Sequence, residues 1–169
     1  ITRDGGKTWK NVTAGLAGLP EWATVRMIEP SRFQAGTAYI VAEAHRLGDN
    51  RPFLYRTTDF GATFTRLDAS LPADVYLHAV REDSVRSNIL YLGTERGVAV
   101  SLDAGASWKS LRLNLPTVAV HDIAIKDNSL VAGTHGRGIW IVDHLNVLRD
   151  WTSEISAKPR GGSSVLVPK

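Results

Sequence analysis

The chain of 169 residues contains no cysteine and a single methionine. Without cysteine, disulfide bridges and thiolate metal sites are excluded, and cysteine usage leaves the redox compartment open. No apolar run approaches the roughly 18 residues that cross a bilayer as a helix, so no membrane span is expected. Charge of one sign is also lacking: 20 Lys and Arg stand against 17 Asp and Glu, for a net +3. Basic residues are scattered among acidic ones, and no basic block is interleaved with aromatics, which argues against a nucleic-acid partner. No Gly-rich phosphate loop opens a helix, and His-x-Glu metal spacings are missing, so neither a metal nor a cofactor is expected. What remains, 43% apolar and 22% charged residues, is ordinary for a globular protein, and the length suffices for one domain with a real core.

One short pattern occurs three times: Thr2-Arg3-Asp4-Gly5-Gly6-Lys7-Thr8-Trp9, Thr57-Thr58-Asp59-Phe60-Gly61-Ala62-Thr63-Phe64 and Ser101-Leu102-Asp103-Ala104-Gly105-Ala106-Ser107-Trp108. Each reads Ser/Thr, any, Asp, any, Gly, any, Ser/Thr, aromatic. The physical logic is local. The carboxylates of Asp4, Asp59 and Asp103 can fold back onto backbone N–H groups, as in Asx-turns. Gly6, Gly61 and Gly105 supply a positive φ without steric cost. Trp9, Phe64 and Trp108 close the hairpin with a large apolar surface. These nine residues are therefore assigned a structural role.

The pattern resembles the Asp-box, or BNR repeat, the β-hairpin signature of certain β-propellers. The resemblance implies an all-β fold, a partial β-propeller of four-stranded antiparallel blades. The aspartates are spaced 55 and then 44 residues apart, in or near the range of a four-stranded repeat once the polar insertion His45–Arg51 is set aside. Short β-branched and aromatic runs between polar or glycine turns supply the strands. Leu19-Pro20, Leu71-Pro72 and Leu115-Pro116 punctuate the units. The expected division is an outer strand within 1–20, blades over 21–72, 73–115 and 116–151, and a tail or linker over 152–169. The third blade has only a degenerate turn at Asp143, and its closing strand is expected over Asn146–Trp151. Beginning at Ile1 within a repeat, the chain reads as a segment of a longer protein whose remaining blades are its first partners.

If the repeat turns join third to fourth strands, they share one face, and the other face collects polar residues near the channel. Trp22, His78 and His121-Asp122 lie at the starts of innermost strands. Glu95-Arg96 and His135-Gly136-Arg137 lie in second-to-third loops, and the insertion adds His45, Arg46, Asp49 and Arg51. The ligand-binding candidates are His121, Asp122, His135, Arg137, His78 and Arg96, with Arg137 suited to an anionic group by its forked guanidinium. An alternative has Arg137 tying its own loop to backbone carbonyls. Asp122 and Glu95, with Asp74 further off, are the carboxyls available to a glycosidase, which needs two of them roughly 5–9.5 Å apart.

Residues Leu130–Asp143 resemble the closing repeat of bacterial Asp-box proteins described as sortilin-like or glycosyl-hydrolase-like, the xyloglucanase type among them. The resemblance implies a secreted or periplasmic protein. It implies a binding or scaffold module for peptide, protein or glycan, or alternatively a fragment of a glycoside hydrolase. A third reading is a structural element without a site.

Overall fold

The computed structural model describes residues 1–157, with side chains through Trp151. Three antiparallel sheets lie side by side. Blade I runs in the order β1 (Thr24–Pro30), β2 (Ala38–Ala44), β3 (Asp49–Thr57), β4 (Thr65–Arg66). Blade II repeats it with β5 (Leu77–Glu82), β6 (Leu90–Thr94), β7 (Gly97–Ser101) and β8 (Lys109–Ser110). Blade III holds β9 (Val120–Lys126), β10 (Ser129–Thr134) and β11 (Ile139–Val142). The first strand of blade II packs against the first strands of both neighbours, which places β1, β5 and β9 innermost. The all-β expectation holds.

A blade is apolar on both faces, so its core lies between blades. Tyr39, Val41 and Leu54 of blade I meet Leu77, Val80, Leu90 and Leu92 of blade II. Ile89, Tyr91, Val98 and Val100 on the opposite face of blade II meet Val120, Ile123, Leu130 and Ala132 of blade III. The far face of blade I is covered by Leu16 and Leu19 of the N-terminal segment. On the corresponding face of blade III, Ile139 and Ile141 are exposed among the described residues.

The three repeat turns are built identically. Asp59 accepts from the Thr63 N–H at 2.9 Å and the Thr63 hydroxyl at 2.6 Å, while Thr57 Oγ1 donates to Asp59 at 2.9 Å and accepts from the Gly61 N–H at 2.8 Å. The same bonds recur around Asp4 and Asp103. Two consecutive residues take positive φ in each: Gly5 and Gly6, Phe60 and Gly61, Ala104 and Gly105. In the second and third turns the aromatic that follows reaches toward the preceding unit, whereas Trp9 is exposed and donates to Gly6 O of its own turn. Trp108 Nε1 donates to Leu67 O of blade I at 2.7 Å, and Phe64 packs beside Leu16.

Two expectations are corrected. Residues 1–20 form no regular outer strand. Ile1 and Lys10 exchange backbone bonds across the first turn, and a short 3₁₀ turn follows at Thr13–Gly15. Among the described residues blade III has no closing strand; over the expected Asn146–Trp151 the chain forms helix α1 (Asn146–Ala157) instead, which takes in the start of the expected tail. The cause lies in the degenerate turn, where Leu145 stands in place of the glycine. His144 takes a positive φ, but Leu145 buries its side chain and donates its N–H to Asn128 O, while Asn128 Oδ1 accepts from Asn146 N. The backbone then winds into the helix. Arg149 anchors α1 through a buried ion pair with Asp83 on blade II at 3.0 Å. Residues 158–169 of the expected tail lie outside the described residues.

Candidate functional site

Each innermost strand carries one extra residue at the same place. In blade I, Val25 pairs with Ala42 and Met27 with Val41, leaving Arg26 unmatched. In blade II, Leu77 pairs with Thr94 and Ala79 with Gly93, leaving His78. In blade III, Val120 pairs with Thr134 and Asp122 with Gly133, leaving His121. A bulge re-aims the side chain it carries. Here it presents Arg26, His78 and His121 at one end of the three sheets, beside the β2–β3, β6–β7 and β10–β11 connections.

At that mouth five rings form a continuous row. His45 stacks on Tyr76 with centroids 4.5 Å apart and planes 11° apart. Tyr76 meets His78 edge-on at 5.2 Å, His78 lies 4.2 Å from His121, and His121 stacks on His135 at 5.0 Å. Four of the five histidines of the chain are thus in one row crossing all three blades. His78 is buried, and among the described residues its Nδ1 has no partner; burial holds its pKa below the usual imidazole value, against the pull of Glu95.

Two carboxylates stand behind the row. Glu95 lies 2.9 Å from His78 Nε2. Burial pushes Glu95 up, but hydrogen bonds from His78 and Tyr76 outweigh it and hold the carboxyl below its usual range. Burial first, then the bond to Glu95, push the Tyr76 hydroxyl up to about 12. Glu43 is buried, with His45 Nδ1 at 2.5 Å and Arg26 at 3.7 Å. Beyond His45, a groove of about 230 Å³ is lined by Trp22, Thr24, Glu43, Arg46 and Leu47; Trp22 is 84% exposed.

Of the sequence candidates, His78, His121, His135 and Glu95 come together in this row. Arg137 lies in the β10–β11 turn two residues beyond His135, and Thr134 closes that turn through bonds to Gly138 O and from the Arg137 N–H. The Arg137 guanidinium ties no carbonyl of its own loop among the described residues; its backbone carbonyl accepts from Trp140 Nε1 at 2.9 Å. Arg96 sits at the rim and pairs with Asp74 at 2.5 Å. Asp122 diverges from its neighbour His121, because the bulge aims His121 at the mouth. The Asp122 carboxylate accepts from Arg81 at 3.0 Å. Arg81 also bonds Ile123 O at 2.7 Å and Glu29 at 3.2 Å, and so ties the innermost strands of all three blades together. Asp49 pairs with Arg51 outside the row. Sequence reasoning did not single out Tyr76, Glu43 or Arg26. The signal for Arg26 was its spacing of 52 residues from His78, close to the 55 between the first two aspartates.

No protein-family model matches this chain, and no curated protein does either. Among solved structures it is similar to an ancestral GH74 enzyme, at 20% identity over 67% of this chain and 14% of that one, with a TM-score of 0.54. It is likewise similar to the GH74 xyloglucanase of Xanthomonas campestris, at 16% identity over 70% of this chain and 21% of that one, TM-score 0.54. A GH74 enzyme of Niastella koreensis matches at 16% identity over 71% and 21%, again at 0.54. The chain thus spans 14–21% of the length of these proteins. Identities this low speak for the fold alone: the three sheets are blades of a β-propeller.

Proposed function

We propose that this propeller segment, with its repeat turns as Asp-boxes, is a binding module of a secreted or periplasmic protein, and that the mouth takes an extended peptide or protein segment. The row of five rings carries this reading. Two of its four ring contacts are stacked, and the exposed His121 and His135, with the half-buried His45 and Tyr76, offer ring edges outward at intervals along three blades. Edges of that kind hydrogen-bond to an alternating series of N–H and C=O groups, which an extended chain provides.

A glycan is the second reading, favoured by Trp22, whose bare ring at the blade I end of the row suits stacking on a sugar. Hydrolysis has less support. A glycosidase needs one carboxyl kept protonated near neutral pH. Glu95 is shifted the other way, and Asp122 is engaged by Arg81.

The test is an NMR titration with acidic, neutral and basic extended peptides and with soluble β-glucan oligosaccharides, read at the histidine ring resonances. Peptides are expected to shift His45, His121 and His135 together. Shifts confined to residues away from the row, or produced by the oligosaccharides alone, would overturn the peptide reading.

A further inference from the structure

Among the described residues, the cations of the mouth on blades I and II have acid partners, Arg46 excepted, and those on blade III have none. On blades I and II, Arg26 and His45 flank Glu43, and His78 and Tyr76 hold Glu95. At the rim Arg96 pairs with Asp74. On blade III the tally is one-sided. His121 enters from the bulge of β9, and His135 and Arg137 enter from one tightly bonded turn. Among the described residues none of the three side chains has an ion pair, and Asp122, the nearest acid in sequence, is held by Arg81.

We propose that His121, His135 and Arg137 form a site for a carboxylate group, and that the site takes up a proton when it binds one. This rests on the reading of the mouth as a binding surface. The forked guanidinium of Arg137 suits a carboxylate. A neutral imidazole offers a single N–H donor and a protonated one offers two, so charging the histidines adds donors where the anion would lie. His121 lies between His78 at 4.2 Å and His135 at 5.0 Å, so two protons in this row repel each other unless an anion sits between them. Glu95 faces His121 as well, but its carboxylate is already engaged. Glu95, from the β6–β7 turn, is bonded to His78 and Tyr76, and Arg96 beside it is cationic and paired with Asp74. Ligand and proton therefore bind together, in the pH range where histidine titrates.

Calorimetry on the whole chain tests this with two probes, acetyl-(Glu)₄-amide and acetyl-(Gln)₄-amide, between pH 5.5 and 8. Repeating each titration in buffers of different ionisation enthalpy reads the protons taken up. The Glu peptide is expected to bind more tightly, to lose roughly tenfold in affinity per unit above about pH 7, and to take up about one proton there. His121→Gln with His135→Gln should remove both the slope and the proton uptake. Arg137→Gln should weaken binding about tenfold at every pH and keep the slope. His144→Gln, remote from the row, should change neither. All of these are exposed positions, and unchanged melting confirms that folding is intact. Equal, pH-independent binding of both peptides would overturn the carboxylate site while leaving the peptide reading in place. Binding of neither at any pH would overturn both. A slope that survives the double histidine variant would overturn the assignment of the proton.

Discussion

Replacing Gly93 by alanine tests how blade III is seated on blade II. Gly93 lies in β6 opposite Ala79, and the first strand of the next blade passes directly over it. A Cβ at this position would stand 2.4 Å from Val120 O and 3.3 Å from the Val120 side chain. A carbon rests about 3.3–3.6 Å from a carbonyl oxygen, so the start of β9 must retreat by about 1 Å. Val120 is fully buried, and the neighbouring Ala119 O accepts from His135 N at 2.9 Å, so the retreat disturbs a packed interface and a bond at the mouth. Overpacking of this kind costs about 1–3 kcal/mol. The lower entropy of the unfolded alanine chain offsets about 0.4–1 kcal/mol of that. A net loss of about 1–2 kcal/mol corresponds, in a chain of this size, to a melting point lower by about 2–8 °C. Gly133 is the internal control. It holds the same register position in blade III, opposite Asp122, and its Cβ would meet only Asp122 O at 3.7 Å. Gly133→Ala should therefore be neutral or slightly stabilising. Urea denaturation and calorimetry of the two variants decide the matter, and equal stability of Gly93→Ala and Gly133→Ala would refute the seating argument.

Arg149→Met should cost about 3–5 kcal/mol in urea denaturation, because it leaves the fully buried Asp83 carboxylate without its cation; a loss under about 1 kcal/mol would mean that α1 is not anchored there. Asp103→Ala should lower stability by about 1–2 kcal/mol through the lost bonds to Ser107 and Ser101, with peptide affinity of the folded protein unchanged. Asp59 is held at about 2 by the Thr63 hydroxyl and the Thr63 N–H. Its stabilisation is present above the unfolded carboxylate value of about 4 and is lost as pH falls toward about 2, so Asp59→Asn should flatten the acid limb of the melting curve in that window.

The fold was legible because the signal was local and repeated. Asp59, Gly61 and Thr63 sit within five residues and specify their turn without help from the rest of the chain. Where that chemistry was degraded, the reading failed. The sequence 143–145 keeps the aspartate but has Leu145 in place of the glycine, and the decision between strand and helix fell to tertiary contacts: the burial of Leu145, the bonds from Asn128 and the pairing of Arg149 with Asp83. Asp83 and Arg149 are 66 residues apart, and no local pattern marks them as partners.

The site was legible by position and illegible by direction, and the bulge explains both. Counting strands placed His78, His121 and His135 at one end of the blades. Adjacent residues of a strand point to opposite faces, so His121 and Asp122 cannot be read as a pair without knowing where the alternation breaks. One extra residue per innermost strand breaks it at Arg26, His78 and His121 alike. The same register shift that turns His121 to the mouth sends Asp122 to Arg81, where it helps tie the blades together. The carboxylate that looked most available for catalysis is thereby engaged between the innermost strands. The imidazole beside it, and the arginine two blades away at the same bulge, face the mouth.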